Sequence, residues 1–176
     1  METTVLFKWA FVHRGWPFTL IDPIGTTFNN KKNHCLATCL KGDVRKVTPD
    51  KLGVFPNVLL VSVLEHIGLK AYVSSKDWEN SPRAEQLQAF KHCMKFVAPG
   101  GRMLVTLPYT NKEAAKDPNF LLRYNSEMLV DLQRGYKLID QKFFMMRTPL
   151  HLDRWQEVSE AVAGKRRSNV CFILSK

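Results

Sequence analysis

Two stretches decide how this chain is read: VSVLEHIGLKAY, residues 61–72, and APGGRMLVTLPY, residues 98–109. Each carries an apolar run that breaks off into polar residues. Val58 to Leu64 is apolar except for Ser62, the pattern of a strand covered on both faces. Arg102 to Leu107 reads as a second such strand, preceded by the helix-stopping Pro99, Gly100 and Gly101. Between them Ala84, Leu87, Phe90, Met94 and Val97 recur at three- and four-residue steps. That spacing predicts a helix from Pro82 to Val97, with Ser81 as N-cap and Pro82 at the first helical position. In open α/β sheets, ligands bind where such strands end.

Working outward, Val5, Leu6, Trp9, Ala10 and Val12 predict a helix over Thr4 to Arg14, stopped by Gly15. Pro17 to Asp22 reads as a short strand ending in an acid, Leu36 to Leu40 as another, and Pro49 to Leu52 as one helical turn. Glu65 to Tyr72 leaves its strand as a loop or short helix, and Pro108 to Pro118 is a polar loop. Asn125 or Ser126 caps a helix through Gln133, and Tyr136 to Met146 forms a long strand. Leu152 to Ala163 is expected as an amphipathic helix before a final strand, Asn169 to Leu174. Alternating strands and helices argue for α/β architecture with a largely parallel sheet. Residues 1–176 are read as one domain.

Lys and Arg outnumber Asp and Glu by 26 to 16, a net charge of +10. A basic protein of this kind favours anionic partners, RNA among them. No apolar run is long enough to cross a bilayer, and neither a secretory signal nor a mitochondrial presequence is expected at the N-terminus. A cytoplasmic location and no membrane partner follow as expectations. Cys35, Cys39, Cys93 and Cys171 read as reduced core thiols. His34, Cys35, Cys39, His92 and Cys93 lack the spacing of a zinc site, so no metal is expected.

The order of these signals resembles the class I SAM-dependent methyltransferases. In one group of them the fourth strand is followed by SxxEHIGL, and LKPGGRLLVTVPYG surrounds the fifth; here SVLEHIGL and VAPGGRMLVTLP stand at those places. RGWPFTLID, KGDVRKV, GYKLIDQKFF and NVCFILSK extend the resemblance almost end to end. It implies a Rossmann-like, mostly parallel sheet with an antiparallel last strand, and S-adenosylmethionine as cofactor. Asp22 then matches the acid that accepts from the ribose hydroxyls, its alternative being an Asp-Pro turn. Asp43 and the Val44 backbone match the adenine contacts, against an ordinary Gly-Asp turn. Ser62 stands where cofactor and substrate meet, or satisfies a neighbouring backbone group. Glu65 and His66 are the catalytic candidates, His66 as a proton acceptor, with pocket-shaping as their structural alternative. Tyr109, Arg123 and Tyr124 are the substrate-binding candidates; Arg123 either binds an acidic acceptor or pairs with Glu127.

The same resemblance exposes a departure. In the family a first strand and a glycine-rich turn precede the helix placed at Thr4, and this chain contains no G-x-G. Truncation, degeneration to a binding module, or a strand supplied by a partner chain would each account for it. Two functions are therefore weighed: methyl transfer to an unidentified acceptor, or a non-catalytic methyltransferase-like subunit that binds RNA or protein.

Overall fold

Phe18, Thr19 and Ile21 favour extended chain, and Phe18–Asp22 forms the first strand, β1. The computed structural model describes residues 18–22, 37–69, 82–110, 116–117, 121–146, 155–164 and 168–176. The helix expected over Thr4 to Arg14 lies outside them. The chain divides into two compact units, Met1–Gly53 and Val54–Lys176.

In the first unit β1 pairs in parallel with β2, Ala37–Lys41, in a register that runs from Phe18↔Ala37 to Asp22↔Lys41. A 3-10 turn, Val44–Lys46, follows, and Asp43 caps it by accepting from the Arg45 backbone N–H at 2.9 Å. Helix α1, Pro49–Leu52, is the single turn that its first-position proline sets up.

The second unit is built on a five-stranded sheet. Its first strand is β3, Phe55–Val61, and the next is β4, Val97–Tyr109. They run parallel, which requires a crossover, and helix α2, Pro82–Met94, lies in that connection. A two-residue pair, β5 at Lys116–Asp117 and β6 at Leu121–Leu122, precedes helix α3, Ser126–Gln133. Then come β7, Lys137–Met146, β8, Trp155–Val158, and β9, Ser168–Ser175. The sheet order is β3-β4-β9-β7-β8, with every pairing after β3–β4 antiparallel. The α/β class expected from the sequence holds, while the described five-stranded sheet is mixed rather than largely parallel, with β3–β4 its one parallel pair.

One face of this sheet makes the core. Met103, Val105, Leu107 and Tyr109 of β4 stand opposite Leu174, Phe172, Val170 and Ser168 of β9, and all are buried. Helix α2 contributes Ala89, Phe90, Cys93 and Met94, and α3 contributes Met128, Leu129 and Leu132. Burying each large apolar side chain of this layer contributes roughly 1.5–3 kcal/mol. The stripe that α2 buries begins at Gln86 and leaves Ala84 exposed, a rotation of the face that apolar spacing alone predicted.

Two expectations are corrected. Residues 155–158 of the expected Leu152–Ala163 helix form β8, and residues 160–164 a turn. The outer edge of β7 takes Trp155–Val158 as a strand, Phe143↔Val158 to Met146↔Trp155, and Glu157 meets Lys142 at 3.0 Å. Tertiary pairing overrides an ambiguous local pattern. Pro99, Gly100 and Gly101 do not merely stop a helix: α2 ends at Met94, and these residues make an irregularity inside β4, where Phe55↔Val97 gives way to Asn57↔Arg102. A Cβ on Gly101 would lie 2.9 Å from both the Ala98 and Pro56 carbonyl oxygens.

Candidate functional site

Buried polar residues, among them Glu65 and Thr110, follow the C-terminal ends of β3 and β4. β3 stops at Val61, and Ser62 turns the chain with φ +50°, alone among the described non-glycine residues in having positive φ. Its backbone N–H reaches Thr106 Oγ1 of β4 at 3.2 Å. The 3-10 turn Leu64–His66 follows and tucks Leu64 and Glu65 into the core. His66, half-buried, closes the turn by donating its backbone N–H to the Val63 carbonyl at 3.2 Å.

Glu65 is 2% exposed, and its Oε2 has no hydrogen-bond partner. Burial pushes its carboxyl up to about 7, against which a hydrogen bond to its own backbone and one from the Ser62 hydroxyl pull only in part. Tyr124 adjoins it: burial, then the Glu65 charge, raises that phenol well above its ordinary range. The Tyr124 hydroxyl donates to Gln86 Oε1, and Gln86 Nε2 donates to the Ile67 carbonyl at 3.1 Å. Gln86 therefore ties the turn after β3 to the residue that precedes α3. The turn also packs closely on α2, since a Cβ on Gly68, where φ is +73°, would meet Glu85 at 3.1 Å.

Tyr109 ends β4 and sits beside Tyr124 through a parallel bridge; the Tyr124 N–H reaches the Pro108 carbonyl at 2.9 Å, and the Thr110 N–H the Tyr124 carbonyl at 2.8 Å. The Tyr109 ring packs edge-on against Phe143 at 4.8 Å. Its hydroxyl contacts Ser126 Oγ and Glu160 Oε1, both at 2.8 Å. Burial raises the Tyr109 phenol. Arg123 is half-buried. The pairing with Glu127 weighed for it is taken by Arg83, whose Nη2 reaches Glu127 at 3.3 Å and also meets Asp131.

In the first unit, Asp22 and Asp43 end neighbouring strands, since Asp22 lies opposite Lys41 and Asp43 follows two residues on. The Asp22 backbone alone is described. Asp43 is engaged with Arg45, whose Nε lies 3.0 and 3.1 Å from its two oxygens and whose Nη2 lies 2.8 Å from Oδ2. That guanidinium holds the Asp43 carboxyl below its usual range. The structure thus brings Ser62, Glu65 and Tyr124 together at the ends of β3 and β4, with His66 beside Glu65 in the turn and Tyr109 bridged to Tyr124 along the backbone. Sequence reasoning missed Gln86, Ser126 and Glu160. For Gln86 a signal existed, a polar residue four before Phe90 on a buried helical stripe; for Glu160 there was none.

No family model matches the chain, and no curated protein matches it in sequence. Solved structures do. The 1,6-didemethyltoxoflavin-N1-methyltransferase of Burkholderia thailandensis, solved with 1,6-didemethyltoxoflavin and S-adenosylhomocysteine bound, matches 96% of this chain at TM-score 0.61 and 14% identity. A SAM-dependent methyltransferase of Methanosarcina mazei matches 96% at TM-score 0.58 and 11% identity. The fold is that of the class I SAM-dependent methyltransferases. The glycopeptide N-methyltransferase MtfA, solved with S-adenosylmethionine, shares this methyltransferase fold over 94% of the chain at TM-score 0.51 and 14% identity. The chain spans 65% of the length of the Burkholderia enzyme, 86% of the Methanosarcina protein and 80% of MtfA. No helix among the described residues is long and apolar enough to cross a membrane.

Proposed function

We propose that this chain, or the protein it is part of, transfers a methyl group from S-adenosylmethionine to an acceptor at the C-terminal ends of its parallel strands. The observation that carries the proposal is the methyltransferase fold over 96% of the chain, shared with an enzyme solved with S-adenosylhomocysteine. The residues fit the cofactor at one place: β1 ends in Asp22, and an acid at the end of a parallel strand is suited to accept from both ribose hydroxyls. Asp43 is committed to Arg45, which leaves the Val44 backbone as the adenine contact proposed beside it. Ser62, whose positive φ turns the chain sharply at the end of β3, is proposed to lie beside the acceptor.

When bound, the cofactor supplies an activated methyl group, and the protein's task reduces to aligning the acceptor and excluding water. Glu65 lies in the core with an unpartnered oxygen, so its proposed part is to shape the turn that carries His66. His66 is the group proposed to take the acceptor's proton. The Tyr109 and Tyr124 hydroxyls are spent within the protein, and Arg123 becomes the foremost side chain proposed to touch substrate.

Calorimetry with S-adenosylhomocysteine tests the proposal. Binding below millimolar is expected, weakened about tenfold in Asp22→Asn, which corresponds to about 1.4 kcal/mol. Absence of heat at millimolar ligand would remove it.

A further inference from the structure

The turn after β8 fixes one carboxylate in an unusual way. Glu160 Oε1 accepts from the Tyr109 hydroxyl at 2.8 Å and from Ser126 Oγ at 2.6 Å, and those hydroxyls lie 2.8 Å apart. Two protons serve three contacts, and the carboxylate is the acceptor that closes the triangle. Every one of these contacts uses Oε1. Glu160 is itself exposed, and Oε2 has no partner among the described residues.

Charge makes the arrangement more specific. Asp43, Glu127, Asp131 and Glu157 are each met by an arginine or lysine. Glu160 is anchored by two neutral hydroxyls, and no described lysine or arginine pairs with it. On a chain of net charge +10, it is a carboxylate held in place without a counter-charge. Its anchor, Tyr109, is the last residue of β4, so the free oxygen stands at the strand ends where open α/β sheets receive ligands. A carboxylate already anchored through one oxygen loses little further freedom when the other takes a ligand.

We propose that Glu160 docks a cationic group of the methyl acceptor, an ammonium or guanidinium, through Oε2. The proposal rests on the methyl-transfer reading above. The docked cation is a recognition handle and is distinct from the nucleophile, since a protonated amine has no lone pair with which to attack a methyl group. The field of a basic protein repels cations at long range, so a cationic acceptor needs a fixed local anion.

The test compares benzylamine, protonated at neutral pH, with benzyl alcohol, its neutral counterpart, by protein-observed NMR titration. The whole chain is used, as wild type and as Glu160→Gln, which keeps an oxygen to accept from Tyr109 and Ser126 but removes the charge. Wild type is expected to bind the ammonium at least tenfold more tightly than the alcohol, and Glu160→Gln to bind both alike with an unchanged thermal midpoint. Equal binding of the two probes by wild type, no binding of either, or a preference that survives in Glu160→Gln would overturn the proposal. Calorimetry with S-adenosylhomocysteine on the same samples separates the two ideas. Cofactor-product binding without ammonium preference removes only the cation site. A Glu160-dependent preference without cofactor-product binding keeps that site and removes methyl transfer.

Discussion

A carboxyl group that is 2% exposed, with one oxygen unpartnered, must keep its proton or leave the core, and Glu65 is in that position. Its folded-state value of about 7 stands above the ordinary 4.5. Below pH 4.5 folded and unfolded chains both hold the proton, and burial carries no ionisation penalty. Between 4.5 and 7 only the folded chain holds it, so stability falls as pH rises through that window. The loss is complete above pH 7 and amounts to about 3 kcal/mol. Urea unfolding at pH 4.5 and pH 8 should therefore show wild type less stable at the higher pH. In Glu65→Gln, which cannot ionise, that difference should shrink by about 3 kcal/mol. Identical pH slopes for the two proteins would show that Glu65 ionises freely where it sits. Little of this was legible in the sequence: Glu65 and His66 were visible as a reactive pair at a strand end, but which of them would be buried depends on a 3-10 turn that puts Leu64 and Glu65 inward.

At the scale of elements, Gly101 joins the irregular start of β4 to β3. Its missing Cβ would stand 2.9 Å from two backbone oxygens, those of Ala98 and Pro56, and backbone cannot swing aside as a side chain can. Gly101→Ala is expected to cost roughly 1–3 kcal/mol, read as a lowered thermal midpoint; an unchanged midpoint would mean the two strands separate there without penalty. The elements that sequence reasoning placed well are those with signals of their own. Continuous apolar composition marked β3, and capping marked α3, where Asn125 accepts from the Met128 N–H at 3.0 Å. β8 failed because its partner decides it: Trp155 to Val158 becomes a strand only beside Phe143 to Met146, and the apolar spacing of 152–163 taken by itself does not reveal that pairing. The same limit hid Gln86, whose two partners, Ile67 and Tyr124, lie 19 and 38 residues away in the chain.

At the scale of the molecule, the five-stranded sheet begins with β3, which is paired on one side only among the described residues. Its sequence, FPNVLLV, carries no charge, and Leu59 is 39% exposed. Soluble proteins guard such edges with charged residues, lysine above all. Leu59→Lys should therefore lower light scattering on concentration while leaving the thermal midpoint within a few degrees; scattering equal to wild type would show the edge to be covered already.

The opposite end of the chain has its own consequence. β9, last in chain order, lies between β4 and β7 in the middle of the sheet. During synthesis from the N-terminus, β4 and β7 emerge with facing flanks bare, and neither can close until residues 168–175 leave the ribosome. The nascent protein thus carries two adhesive half-sheets until β9 has emerged, and a stall or nick just before Ser168 leaves them without the strand that joins them.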